Sequence, residues 1–237
     1  EAEGFARIEG SNNAQDGVEE APLVAEDVQN QETSGQDVQK SEEVSDTPLE
    51  PDIEVPVKQA EPQIDKTGAV NFHITDDDLG IGTAKEKFRR NVEAIRTLEK
   101  IESENRIATP EEQEILSQYV GWGGLAGAFD ESKSAWANEY QELKGLLSEQ
   151  EYASARESTL NAHYTSPAII RSIYDALDKM GFEKGNVLEP AMGIGNFFGM
   201  LPEKMQESRL YGVELDGITG RIAKQLYPKV DIKITGF

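Results

Sequence analysis

Two short segments hold the residues whose types and spacing could do chemistry: VLEPAMGIGNFF, Val187 to Phe198, and LYGVELD, Leu210 to Asp216. Gly193 and Gly195 follow an apolar run that reads as a buried strand. Glycine there permits positive φ and removes the Cβ that would hold a ligand away from the backbone. Glu214 ends a second such run, nineteen residues after Gly195. An acid at that place can accept hydrogen bonds from both ribose hydroxyls of an adenosine group. The glycine pair and the acid together point to an adenosine-containing ligand at the carboxyl edge of a parallel sheet.

The neighbours of these residues narrow the ligand. A dinucleotide fingerprint needs a third glycine, and that position is Phe198, with Gly199 adjacent. No GxxxxGK[ST] phosphate loop occurs. Glu189, four residues before Gly193, stands at the tip of the first strand. A carboxylate there is poorly placed beside a pyrophosphate and suits an ammonium and a sulfonium, as S-adenosyl-L-methionine carries. Upstream, Ala162-His163-Tyr164-Thr165-Ser166-Pro167 offers hydroxyls and helix-start amides that could hold a carboxylate, and also reads as an ordinary helix cap. With no cysteine and two distant histidines, His73 and His163, no metal cluster is expected.

The elements that must position these residues alternate. Pro167 opens a helix carrying Ile169, Ile170, Ile173, Leu177 and Met180. Strand Asn186–Glu189, a helix from about Phe197, strand Arg209–Leu215, helix Thr219–Leu226 and strand Val230–Ile234 follow. Such alternation predicts a right-handed parallel α/β sheet. In front lies a helical region. Phe88, Val92, Ile95, Leu98 and Ile101 form one stripe. Lys85, Lys87, Arg89, Arg90 and Arg96 occupy its other faces, as a solvated surface or a phosphate-contacting patch. Thr109, Pro110 and Glu112 start a helix running to about Val120, and Ser148 with Glu151 starts another. Trp136 and Tyr140 share a further helix. Trp122, in Gly121-Trp122-Gly123-Gly124, reads as a packing residue, with base stacking as the sharper alternative.

Composition sets the frame. The 237 residues carry a formal charge of −22, unevenly spread: residues 1–66 hold 18 acidic and 4 basic side chains, and residues 67–237 hold 27 and 19. The first stretch has Phe5 as its lone aromatic and reads as a disordered acidic linker. The chain begins at Glu1 in linker-like sequence, so it is expected to be a piece of something longer. No apolar run approaches membrane-spanning length and no signal segment opens the chain, so a cytoplasmic location is expected.

At these residues the chain resembles a known family. ExAxGxG at Glu189–Gly195, with Ala191 for the usual first glycine, resembles the first motif of class I methyltransferases. AHYTSP at Ala162–Pro167 resembles the segment that precedes it in DNA adenine-N6 methyltransferases, and GVELD resembles their ribose-binding acid. Arg106–Glu131, Ser158–Pro167, Leu188–Pro202 and Leu210–Pro228 are similar to the large DNA methylase–helicase proteins of conjugative elements and phages.

The resemblance implies a partial class I methyltransferase (Rossmann-like) sheet over 161–237, after a mainly helical region over 67–160 and the acidic segment 1–66. It implies S-adenosyl-L-methionine as cofactor. Tyr164 and Thr165 would meet its methionyl part, Glu189 its ammonium side, Glu214 the ribose and Leu215 the adenine. Gly193 and Gly195 would make the turn, with Pro190, Ala191, Asn196 and Phe197 completing the set. DNA, the rest of a methyltransferase domain and a C-terminal helicase would be the partners. That family's catalytic motif, an asparagine or aspartate before proline and an aromatic, is missing from these residues. The chain is therefore expected to hold the donor's half of a DNA methyltransferase site and to be inactive alone. Two readings compete with it: a non-catalytic DNA-handling or protein-interaction module of a mobile-element helicase, and a nicotinamide-dependent oxidoreductase.

Overall fold

A computed structural model describes residues 66–76 and 78–237. The acidic linker expected over 1–66 lies, except for Lys66, outside the described residues. Helix α1 (Ala84–Ser103) starts at a capping box in which Thr83 and Glu86 satisfy each other's backbone amides. The expected stripe Phe88, Val92, Ile95, Leu98 and Ile101 is buried, and Asn91 is buried with it.

Helix α2 (Pro110–Ser117) has the expected Thr109–Glu112 box, but it stops short of Val120. The reason lies on α1. Asn91 Oδ1 accepts from Val120 N (2.9 Å) and Asn91 Nδ2 donates to Gly121 O (2.6 Å). These bonds hold the chain in a turn instead of another helical step. Trp122, 1% exposed, then packs among Phe88, Tyr119 and Phe129, with the Phe129 ring edge-on at 5.3 Å. The indole is therefore a core residue. Trp136 closes a 3-10 turn (Ser134–Trp136) and precedes α3 (Ala137–Leu146), which contains Tyr140. The two do not share one helix as expected. Helix α4 (Glu149–Ser158) begins at the Ser148–Glu151 box.

Helix α5 (Pro167–Lys179) leads to β1 (Asn186–Glu189), the short α6 (Asn196–Gly199), β2 (Arg209–Glu214), α7 (Gly217–Leu226) and β3 (Asp231–Ile234). The strands form one parallel sheet in the order β1-β2-β3, with Glu189 beside Gly212 and Glu214 beside Ile234. The fold is thus mixed α/β, a small three-stranded parallel sheet flanked by helices.

The core runs without a break from Phe88 and Leu116 in the helical region to Ile222, Leu226 and Ile232 beside the sheet. Buried amides reinforce it. Gln113 Nε2 donates to Gln225 O and Val70 O, and Ala108 N donates to Gln225 Oε1. The segment before α1 adds two bonds, Phe72 N to Leu226 O and Ile74 N to Gly199 O.

At the start of α2, Arg106 grips Glu112 with two guanidinium nitrogens. Hydrogen bonds from Arg106 hold the Glu112 carboxyl down at about 2. A carboxyl lowered on folding adds stability that is complete above the ordinary carboxylate range and is lost as pH falls toward that value. Arg106→Met is expected to cost about 1–2 kcal/mol at pH 7. The difference from wild type should shrink between about pH 4.5 and pH 2, read from urea unfolding at a series of pH values.

Candidate functional site

The carboxyl ends of β1 and β2 meet the helical region around a cavity of about 460 Å³. Its lower wall is the turn after β1. Met192 N donates to Val213 O (3.1 Å) and Gly195 N to Met192 O (2.9 Å), so the turn is fastened to β2 and closed on itself. Glu214 completes the fastening: one carboxylate oxygen accepts from Gly193 N and the other from Asp216 N, both at 2.8 Å. Asp216 in turn caps α7 by accepting from Thr219 N (2.8 Å) and Thr219 Oγ1 (2.6 Å), and takes Ser154 Oγ of α4 at 2.9 Å. The helical region is thereby hydrogen-bonded to the edge of the sheet.

Of the residues singled out from sequence, Tyr164, Thr165, Glu189, Ala191, Gly193, Asn196, Phe197, Glu214 and Leu215 line the cavity. Pro190 and Gly195 do not. Pro190 is exposed, and Gly195 is buried against Tyr227. Both glycines have positive φ, +57° and +90°. A Cβ on Gly193 would stand 2.3 Å from the Tyr164 ring, and one on Gly195 would stand 2.5 Å from the Tyr227 ring. The missing side chains make room for two tyrosines. Ser166, at the N-cap of α5, makes no capping bond with its side chain.

Several residues of the site carried no usable sequence signal. Tyr119 lies beyond the end of α2, and Ser154 sits in a polar helix. Asp216 and Thr219 could have been found, since Asp-x-x-Thr is a helix-start pattern.

The wall is strongly one-sided in charge. Glu157, Glu189, Glu214 and Asp216 line it, and among the described residues no lysine or arginine does. Burial raises the Glu189 carboxyl above its ordinary value, with no basic group offsetting it. Burial likewise raises the Tyr164 and Tyr119 phenols, so both remain neutral hydroxyls. Such a wall repels phosphate and favours hydrogen-bond donors or a cation.

No family model matches the chain, and no solved structure matches it. A curated relative is an Escherichia phage P1 protein described as "Defense against restriction protein B". It is 24% identical over 158 residues, which cover 66% of this chain and 6% of the phage protein. The chain thus spans a small fraction of that relative's length.

These findings correct the family reading. The description of the relative names defence against restriction, and neither methylation nor a helicase appears in it. No methyltransferase family model matches ExAxGxG at Glu189–Gly195. The assignments as part of a DNA adenine-N6 methyltransferase, as part of an enzyme and as a helicase-linked DNA methylation module are therefore withdrawn. The glycines and the acid of the motif each have a partner inside the protein.

Gly193→Ala is expected to cost about 1–3 kcal/mol, from left-handed backbone strain and the ring contact together. In a Tyr164→Ala background the cost should be smaller, because only the backbone strain remains. Urea unfolding of the four proteins in the cycle measures the difference. An undiminished cost would mean that the ring is not what requires glycine there.

Proposed function

We propose that the chain is a non-catalytic binding module of a mobile-element protein, acting in the cytoplasm, whose cavity takes a non-phosphorylated nucleoside-type ligand. The observation that carries this reading is the acid-lined cavity, without lysine or arginine among the described residues, at the carboxyl ends of parallel strands. Open parallel sheets receive ligands at that edge. On this reading the three strands and α7 are half of a Rossmann-like sheet. Glu214 has lone pairs left after serving two amides, and a ribose hydroxyl would use them. Glu189 would face a cationic group. S-adenosyl-L-methionine, a cation on an adenosine, is accordingly the first ligand to try. The ligand would be held without group transfer.

The phage relative suggests the setting, a longer protein concerned with restriction. A direct DNA contact through α1 is the weaker alternative, because most of its basic side chains already have internal acceptors. Lys85 pairs with Glu139, Arg96 pairs with Glu142, and Arg90 donates to Ile81 O. Any DNA contact would fall to other parts of a longer protein. No described helix is long and apolar enough to cross a membrane.

Titration calorimetry on the whole chain tests the proposal with S-adenosyl-L-methionine, adenosine, NAD and ATP. The cationic nucleoside should bind tightest, and NAD and ATP at least about tenfold weaker, as like charges in a partly buried site require. Glu189→Gln should weaken the cationic ligand by about tenfold and leave adenosine unchanged. Equal or tighter binding of ATP, or no binding of any probe, would overturn the reading.

A further inference from the structure

Two polar atoms at this cavity have no partner. Tyr119 is 1% exposed and Asn196 is 9% exposed; both line the cavity, and neither Tyr119 Oη nor Asn196 Oδ1 makes a hydrogen bond. Unpaired buried polar atoms are uncommon, because each forfeits its bonds to water. Thr219 lies near enough to influence both the Tyr119 and Tyr164 phenols. Thr219 Oγ1 gives its proton to Asp216 Oδ1, and Tyr119 Oη makes no hydrogen bond to it. The two orphans come from different parts of the fold. Tyr119 belongs to the helical region, just before the turn that Asn91 holds, and Asn196 is the first residue of α6, directly after the glycine turn.

We infer that Tyr119 and Asn196 are ligand-recognition residues of this cavity, which select a ligand presenting a hydrogen-bond acceptor to the tyrosine hydroxyl and a donor to the asparagine carbonyl. The inference rests on the nucleoside-ligand reading and extends it to a residue outside the glycine–acid motif. A phenol and an amide oxygen discriminate by hydrogen bonding without adding charge, so they set which neutral groups the ligand must carry. The acids select for charge. Because Tyr119 comes from the helical region and Asn196 from the sheet side, a ligand bonded to both is read by both parts of the molecule. Burial keeps the Tyr119 hydroxyl protonated, so its donor role does not vary across the neutral pH range.

The test uses Tyr119→Phe in the whole chain, with S-adenosyl-L-methionine and adenosine as probes in calorimetry and thermal melts without ligand. A hydroxyl that lacks an internal partner costs nothing to remove from the free protein. The expected result is therefore an unliganded melting temperature equal to or above that of wild type, with affinity lowered about tenfold or more. Asn196→Leu keeps the shape, removes the acceptor and should show the same pair of results. If wild type binds a probe and Tyr119→Phe binds it equally well, the inference falls and the nucleoside reading stands. A lower unliganded melting temperature for Tyr119→Phe would place the hydroxyl in an internal bond and also overturn it. Wild type binding neither probe would remove both.

Discussion

The carboxylate of Glu214 accepts two backbone hydrogen bonds at once, from Gly193 and from Asp216. The site is built around that pair. The bond to Gly193 N holds the turn after β1 against the tip of β2, so the carboxyl edge of the sheet has a fixed floor. The bond to Asp216 N sets the direction in which the chain leaves β2. It presents the Asp216 side chain to the first turn of α7, where an acid also complements the helix dipole. With α7 started there, its apolar face meets α1 and α2, and the helical region closes over the strand ends. Ser154 then bonds to Asp216 from α4, and Arg221 of α7 pairs with Glu102 and Glu151.

This arrangement gives a strand-end acid a structural duty that a motif search cannot distinguish from a ligand-binding one. A carboxylate has about four lone-pair positions, and two serve the backbone here. The glycines are ambiguous for a related reason. Gly193 is compatible with a ligand passing close to the backbone, but the atoms actually lying over it are those of Tyr164. The chemical character of the cavity therefore rests less on the motif than on the whole wall. Four carboxylates, with no lysine or arginine among the described residues that line it, set its sign, and burial raises the Glu189 carboxyl.

Much of the architecture was legible from local signals. The capping boxes at Thr109 and Ser148, the 3.6-residue stripe of α1, and the alternation of apolar runs with helical stretches after Pro167 each depend on residues within about four positions of one another. They held because neighbouring side chains and backbone amides satisfy each other with little help from elsewhere. The early end of α2 was not legible. Its cause is Asn91, some thirty residues upstream, whose amide intercepts the Val120 N–H that helix growth would have used. Trp136 shows the same limit: its spacing to Tyr140 suits a helix, but the residue precedes α3.

By itself, the sequence determined where helices start, which faces are apolar, and that a glycine turn and an acid follow parallel strands. Short-range hydrogen bonding and periodic burial decide those matters. Only the tertiary structure decided what surrounds the turn. Tyr164 fills the space over Gly193, Glu214 binds two amides, and Tyr119 reaches the cavity from a region nearly a hundred residues before Glu214. Those relations arise from packing α1 and α2 against α7. Contacts between residues so far apart leave no spacing in the chain from which they could be read.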